Sequence, residues 1–238
     1  MTYFLCSSGG PLTGEIRVPG DKSISHRSII LSSIAVGESR ISGFLRGEDS
    51  LNTLRAFQAM GVSVKQTAQQ VIVNGVGLHG LKQPETPLEM GNSGTAMRLL
   101  LGLLAGQSFD SVMTGDASLS SRPMSRVIDP LLAMGAEICS QAGGTAPLTV
   151  RGNPHLQAIE YELPMASAQV KSCILLAGLY ADGETMIREP APTRDHSERM
   201  LRGFGCNLQS QGAEIHMAGK QALTATDIDI PADISSAA

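Results

Sequence analysis

Apolar residues along this chain fall into two kinds of run that alternate. In the first kind, Ser25 to Val36, Met97 to Ala105 and Val170 to Tyr180 are apolar on most sides. Such a run predicts a buried helix, because no polar face is left for water. In the second kind the apolar residues form one stripe: Leu51, Leu54 and Phe57, and again Val127, Ile128, Leu131 and Leu132. These predict amphipathic helices. Short alternating or β-branched segments lie between and around them. Glu15-Ile16-Arg17-Val18, ending at Pro19-Gly20, predicts a strand and turn. Arg40 to Gly43 and Ser111 to Thr114 predict strands separating the two helices, and Val62-Ser63-Val64 with Val71-Ile72-Val73 predict a hairpin pair.

The unit is βαβαββ, and it occurs three times. Each copy opens on a polar, Ser-containing cluster, marked by Ser23, Ser93 and Ser167, at intervals of about 70 residues, the mark of a repeated supersecondary unit. A second series runs in step: Ala59-Met60-Gly61, Ala133-Met134-Gly135 and Gly203-Phe204-Gly205 end the second helices. The expected fold is therefore α/β, a pseudo-threefold domain of three βαβαββ repeats around buried parallel helices. A fourth opening, Asp233-Ile234-Ser235-Ser236, is cut off at Ala238, which predicts that the chain is part of a longer protein.

Composition narrows this picture. Hydrophobic residues make up 42% of the 238 and aromatics 3%, with no Trp, so the core must be aliphatic. A net charge of −4 argues against a general nucleic-acid binder or a partner for anionic membranes. The cysteines Cys6, Cys139, Cys173 and Cys206 are scattered, without metal spacing or a disulfide framework, which fits reduced thiols in the cytoplasm. Cys173, inside an apolar run, reads as a small core residue. No signal peptide is evident, and the longest apolar stretch, Leu99 to Ala105, is too short to span a membrane.

Polar and cationic residues collect where the buried helices begin. Helix N-termini favour anions, through unpaired N–H groups and the macrodipole. If the three helices run parallel, one surface carries Lys22, Ser23, Arg27, Asn92, Ser93, Thr95, Ser167, Gln169 and Lys171. The loops before the second helices add Arg122, ahead of a helix opened by Pro123, and Arg194. Any single Ser or Asn there reads first as an N-cap. Glu38, Glu48, Asp49 and Glu198 read as solvated or capping, and His26 as structural. Five cations arriving at the same end of a repeated unit favour an anion site.

At these residues the sequence resembles the 5-enolpyruvylshikimate-3-phosphate synthase family. The resemblance is carried by Pro19-Gly-Asp-Lys-Ser-Ile-Ser-His-Arg27, Gly91-Asn-Ser-Gly-Thr-Ala-Met-Arg98, Leu119-Ser-Ser-Arg-Pro-Met124, Ser167-Ala-Gln-Val-Lys171 and Arg194-Asp-His-Ser-Glu198. The last two are similar to the class II variant, which includes many glyphosate-tolerant enzymes. Some strongly tolerant members carry Ala where this chain has Gly94, so Gly94 leaves tolerance open. Ala168 departs from members with Ser, leaving only a backbone contact there.

The resemblance implies an inverse α/β barrel enolpyruvyl transferase of two domains, each of three repeats. Residues 1–20 would belong to the other domain, 21–230 form one domain, and 231–238 start the crossover. It implies transfer of the enolpyruvyl group of phosphoenolpyruvate to the 5-hydroxyl of shikimate 3-phosphate, in aromatic amino-acid biosynthesis, without cofactor or metal. Lys22, Ser23, Arg27, Ser167, Gln169 and Arg194 would bind shikimate 3-phosphate. Lys22, Asn92, Gly94, Arg122 and Gln169 would bind phosphoenolpyruvate, Lys22 with a catalytic role. The general base and further cations would come from a C-terminal half, in cis or as a separate chain, so this chain alone would bind without turnover. The related UDP-N-acetylglucosamine enolpyruvyl transferases typically show Lys-Asn at the Lys22-Ser23 position and a reactive Cys near Asp116 to Arg122, which this chain lacks.

Overall fold

A computed structural model describes residues 5, 9–11 and 13–236. Three copies of one unit follow each other. The first runs α1 (Lys22–Ile34), β1 (Val36–Ser42), α2 (Glu48–Ala59), β2 (Ser63–Gln66) and β3 (Gln70–Val76). The second runs β4 (Leu88–Glu89), α3 (Gly94–Ala105), β5 (Ser111–Thr114), a short α4 (Ala117–Ser120), α5 (Ser125–Ala133), β6 (Glu137–Gln141) and β7 (Thr145–Arg151). The third runs β8 (Glu160–Glu162), α6 (Ala168–Gly178), β9 (Glu184–Arg188), α7 (His196–Gly203), β10 (Leu208–Gln211) and β11 (Glu214–Ala218). A last strand, β12 (Ile228–Asp229), and a 3-10 turn over Ile234–Ser236 follow. The fourth polar opening thus appears only as that turn, and Cys6 and residues 237–238 lie outside the described residues.

Each unit folds around its own four-stranded sheet. The orders β4-β5-β7-β6 and β8-β9-β11-β10 are the same: a short parallel edge strand, then three antiparallel strands. The first sheet has the order β12-β1-β3-β2. Its parallel edge comes from β12, with Ile41 opposite Ile228, and not from residues 15–18. The strand expected there is absent: Ile16 is exposed, and only Gly20 makes a bridge, antiparallel to Ala232. Alternation sets which face a residue prefers, but a strand also needs a ladder partner. At this edge β12 occupies the position. In the first sheet β12 thus stands where β4 and β8 stand in the other two.

The apolar helices α1, α3 and α6 are central. Ile29, Ile30, Leu100, Leu104, Ile174 and Leu175 are wholly buried. Three successive contacts establish that α3 and α6 run parallel: Thr95 meets Gln169, Gly102 meets Cys173, and Gly106 meets Tyr180. Gly102 permits the closest approach, because a Cβ there would collide with the Cys173 carbonyl. Cys173 is buried, as expected of a core residue.

The Met-Gly series has a backbone cause. Gly61, Gly135 and Gly205 have φ of +88°, +87° and +87°. Each sits just past the end of α2, α5 or α7. The next N–H reaches five residues back, from Val62 to Phe57, Ala136 to Leu131 and Cys206 to Leu201, at 3.0, 2.9 and 2.9 Å. This is the Schellman closure, which needs a left-handed residue and so favours glycine. In the second unit α5 starts at Ser125, later than the expected opening at Pro123, because α4 and the turn over 121–124 take up the intervening chain.

Candidate active site at the helix N-termini

The central helices bring their N-termini to one surface. His26 of α1 meets Ser93 at the cap of α3, Arg27 of α1 meets Ser172 of α6, and Gln169 of α6 meets Thr95 of α3. The caps are Asp21, Ser93 and Ser167, whose side-chain oxygens accept from Ile24, Ala96 and Val170 N–H at 2.7, 3.2 and 3.4 Å. Asp21, not Ser23, is therefore the structural counterpart of Ser93 and Ser167. Ser23 lies in the first turn of α1, where its carbonyl accepts from Arg27 Nη1 at 2.9 Å.

Arg27 is buried, with 5% exposure, and ties three helices together. Its Nε donates to Ser197 Oγ and its Nη2 to Ser172 Oγ, both at 2.6 Å. A guanidinium has five N–H groups, so part of its donor set is left for another acceptor. Desolvation lowers its pKa to about 10, partly offset by Glu198 and Asp21. It remains cationic at neutral pH.

Lys171 departs from expectation. It does not join the cationic surface. Its side chain is 1% exposed and pairs with Glu198 at 2.6 Å and Glu189 at 2.8 Å. Glu198, expected to be solvated, is 4% exposed on the side-chain scale. Lys171 comes four residues after the cap of α6, on the side facing α7, so its side chain points into the packing between helices. Charge alone did not distinguish it from Lys22. His26 is also buried, with Nδ1 2.7 Å from Thr53 Oγ1, and desolvation lowers its pKa to about 4. It is neutral and structural.

The remaining residues divide into two groups. Lys22 is exposed on α1 and pairs with Asp49 at 3.2 Å. Arg194 is exposed ahead of α7, where its charge acts on Arg27, His196 and Asp233. On the other side a cleft of about 510 Å³ is lined by Arg98, Arg122, Arg126, Ser167 and Gln169. Asn92 joins this side: its Oδ1 accepts from Arg122 Nη2 at 2.5 Å while its Nδ2 donates to Asp116 at 2.8 Å. Those contacts, with the Leu119 N–H foremost, hold the Asp116 carboxyl below its usual range. Gly94 opens α3 beneath the guanidiniums, and a Cβ there would lie 2.9 Å from Arg98 Nη1 and 3.4 Å from Arg122 Nη1. Thus the structure brings Asn92, Gly94, Arg122, Ser167 and Gln169 together, while Lys22, Ser23, Arg27 and Arg194 do not line this cleft.

Arg98 and Arg126 were not among the sequence candidates. Arg98 Nη1 donates to Gln169 Oε1 at 3.0 Å, and Gln169 Nε2 donates to Thr95 Oγ1 at 3.0 Å, so both ends of that amide are fixed. The available signal was an arginine interrupting the apolar run Met97 to Ala105. Among the described residues no cluster of His, Cys, Asp and Glu fits a metal ion, and no helix is long and apolar enough to cross a membrane.

Comparison with known proteins agrees with this architecture. The family profile described as EPSP synthase (3-phosphoshikimate 1-carboxyvinyltransferase) matches residues 6–238. A 3-phosphoshikimate 1-carboxyvinyltransferase of Alkalilimnicola ehrlichii is 65% identical over 231 residues, 97% of this chain and 52% of that protein. One from Methylococcus capsulatus is 58% identical over 236 residues, 99% of this chain and 54% of that protein. A solved structure of EPSP synthase from Acinetobacter baumannii superposes with a TM-score of 0.91 at 56% identity, over 93% of this chain and 50% of that one. The chain spans about half the length of the curated relatives it matches.

Proposed function

Because this chain belongs to the EPSP synthase (3-phosphoshikimate 1-carboxyvinyltransferase) family, we propose that it forms one half of a cytoplasmic enolpyruvyl transferase of aromatic amino-acid biosynthesis. Its substrates are shikimate 3-phosphate and phosphoenolpyruvate. The 5-hydroxyl oxygen adds to the enol carbon of phosphoenolpyruvate while the methylene gains a proton. Loss of phosphate and of a methyl proton then restores the double bond and leaves the enol ether. This chain contributes binding and alignment: fixed cations and helix dipoles hold two anionic ligands side by side.

One observation carries the reading: three buried helices present capped N-termini on a single surface, with Lys22, Arg122 and Arg194 around it. In this reading Lys22, Ser23, Arg27, Ser167, Gln169 and Arg194 take shikimate 3-phosphate. Lys22, Asn92, Gly94, Arg122 and Gln169 take phosphoenolpyruvate. Residues 1–20 and 231–238 flank the domain and lead to the second half, which supplies the general base in cis or as a separate chain. The half-length match favours binding without turnover by this chain alone.

The test is a titration of the folded chain with shikimate 3-phosphate, followed by an assay with phosphoenolpyruvate added. Shikimate 3-phosphate should bind, more weakly as salt rises, and no phosphate should be released. No response to millimolar shikimate 3-phosphate would overturn the assignment of its site. Phosphate release by the monomeric chain would overturn the half-enzyme reading.

A further inference from the structure

Two neighbouring residues of α6 and two of α7 face each other behind Arg27. Ser172 follows Lys171 and Ser197 precedes Glu198, and the two Oγ atoms lie 2.7 Å apart. Both serines are buried, at 1% and 5% exposure. The Lys171–Glu198 ion pair joins the same two turns at 2.6 Å, so it keeps the hydroxyls opposite each other. Arg27 of α1 rests on them along one edge of its guanidinium. Nε donates to Ser197 Oγ and Nη2 to Ser172 Oγ, both at 2.6 Å.

Counting protons fixes the direction of each bond in this cluster. A hydroxyl has one proton to donate and two lone pairs. Ser172 donates its proton to the Ala168 carbonyl at 2.6 Å. It therefore accepts from both Arg27 Nη2 and Ser197. Ser197 gives its proton to Ser172 and accepts from Arg27 Nε. The donors thus run in series from Arg27 through Ser197 and Ser172 into the backbone of α6. Turning the guanidinium away would leave two buried N–H groups without acceptors, each at a desolvation cost. The third contact, from Nη1 to the Ser23 carbonyl at 2.9 Å, comes from α1 itself. Burial alone does not produce such an arrangement: Ser32 and Ser33 are also buried on α1, and their Oγ atoms have no partner among the described residues.

We propose that Ser172 and Ser197 are positioning residues, a hydroxyl pair that fixes one edge of the Arg27 guanidinium and so aims its remaining N–H groups at an incoming oxyanion. They act through Arg27 and touch no ligand themselves. The inference rests on the reading of Arg27 as a shikimate 3-phosphate contact and adds what prepares it. A guanidinium locked before binding loses little freedom when the ligand arrives.

Shikimate 3-phosphate titrated into this chain, with the Arg27 Nε–H resonance followed from the free protein onward, tests the proposal. Ser197→Ala removes the acceptor of that N–H, so its resonance should shift and exchange faster with water before any ligand is added. The Kd for shikimate 3-phosphate should rise about tenfold, the scale seen when residues that orient metal ligands from behind are removed. Ser197→Thr keeps the hydroxyl and should restore both the resonance and the Kd. Because the hydroxyls act in series, Ser172→Ala combined with Ser197→Ala should raise Kd by less than the product of the two single effects. Ser33→Ala, elsewhere on α1, should change neither reading. An unmoved Nε–H in Ser197→Ala, an equal response to Ser33→Ala, or a Thr variant as weak as the Ala variant would each overturn the positioning role. If wild type and Ser197→Ala bind shikimate 3-phosphate equally well, the function stands and the positioning role falls. If wild type does not bind it, the function falls, and the Nε–H response alone decides whether the serines hold Arg27.

Discussion

Lys171 Nζ lies 2.6 Å from Glu198 Oε1, with the two side chains 1% and 4% exposed. Glu189 is on its other side at 2.8 Å. With Arg27 nearby, the interior between α1, α6 and α7 contains two positive and two negative groups, which removes the cost of an uncompensated buried charge.

Lys171→Met leaves two buried carboxylates facing each other without their cation. Breaking a buried pair from one side costs about 3–5 kcal/mol. Urea unfolding should show that loss, with the midpoint falling at unchanged slope. A change under about 1 kcal/mol, the scale of an exposed pair, would mean that water reaches these acids.

Acid should destabilise the fold through His26. Its folded pKa, about 4, is below the unfolded value of 6.5, because burial disfavours the imidazolium. The unfolded chain therefore binds a proton first, and stability contributed by neutral His26 is lost as pH falls from 6.5 towards 4. The order of magnitude is about 3 kcal/mol. His26→Gln should lack this component, so the stability difference between wild type and variant should shrink across that window. A difference independent of pH would show that His26 titrates normally.

Gly61→Ala should destabilise by about 1–2 kcal/mol, the cost of an L-residue in the left-handed region. The same substitution at Gly203, which precedes the left-handed position and has open space around a Cβ, should not. Thermal unfolding of the two variants side by side checks this. Equal losses would mean that the left-handed backbone at Gly61 is not what the substitution strains.

Arg122→Ala, in the complete two-domain transferase proposed above, should damage phosphoenolpyruvate use more than shikimate 3-phosphate binding. Arg122 is held by Asn92 and lines the cleft, which Arg194 does not. Loss of one charge-assisted contact should cost about 1.5–3 kcal/mol in kcat/KM for phosphoenolpyruvate. Equal loss for both substrates would contradict the assignment.

Gly94→Ala should push the Arg98 and Arg122 guanidiniums aside, since the new methyl would lie 2.9 and 3.4 Å from their nitrogens. Both are ends of flexible side chains, so folding should change by less than about 1 kcal/mol. The KM for phosphoenolpyruvate should rise while that for shikimate 3-phosphate stays put. An unchanged KM for both would mean that neither guanidinium touches the ligand.

Local interactions made much of this protein legible in its sequence. Runs without a polar face could only be buried helices, so α1, α3 and α6 could be read from hydrophobicity. Gly61, Gly135 and Gly205 marked helix ends, because few other residues take up that backbone conformation. Ser93 and Ser167 were legible as caps, and with the cations beside them they marked one surface of the domain. The third cap was misread at Ser23, because cap status depends on where the backbone turns helical, and Asp21 occupies that point.

Tertiary structure decided what depends on distant partners. A strand needs a ladder, and the first sheet takes its parallel edge from Ile228 and Asp229, far beyond Ser42 in the chain, a pairing of the kind that periodicity cannot reveal. Lys22 and Lys171 have the same side chain and similar places near helix starts. Only the approach of α7 with Glu198 makes one a buried ion pair and leaves the other at the surface. Arg98 looked like an interruption in an apolar helix until α6 brought Gln169 to within 3.0 Å of it. Sequence thus determined the elements and the end of the domain where helix caps and cations gather, because those follow from periodicity and local backbone chemistry. The partners of each charge were set by packing between helices far apart in the chain.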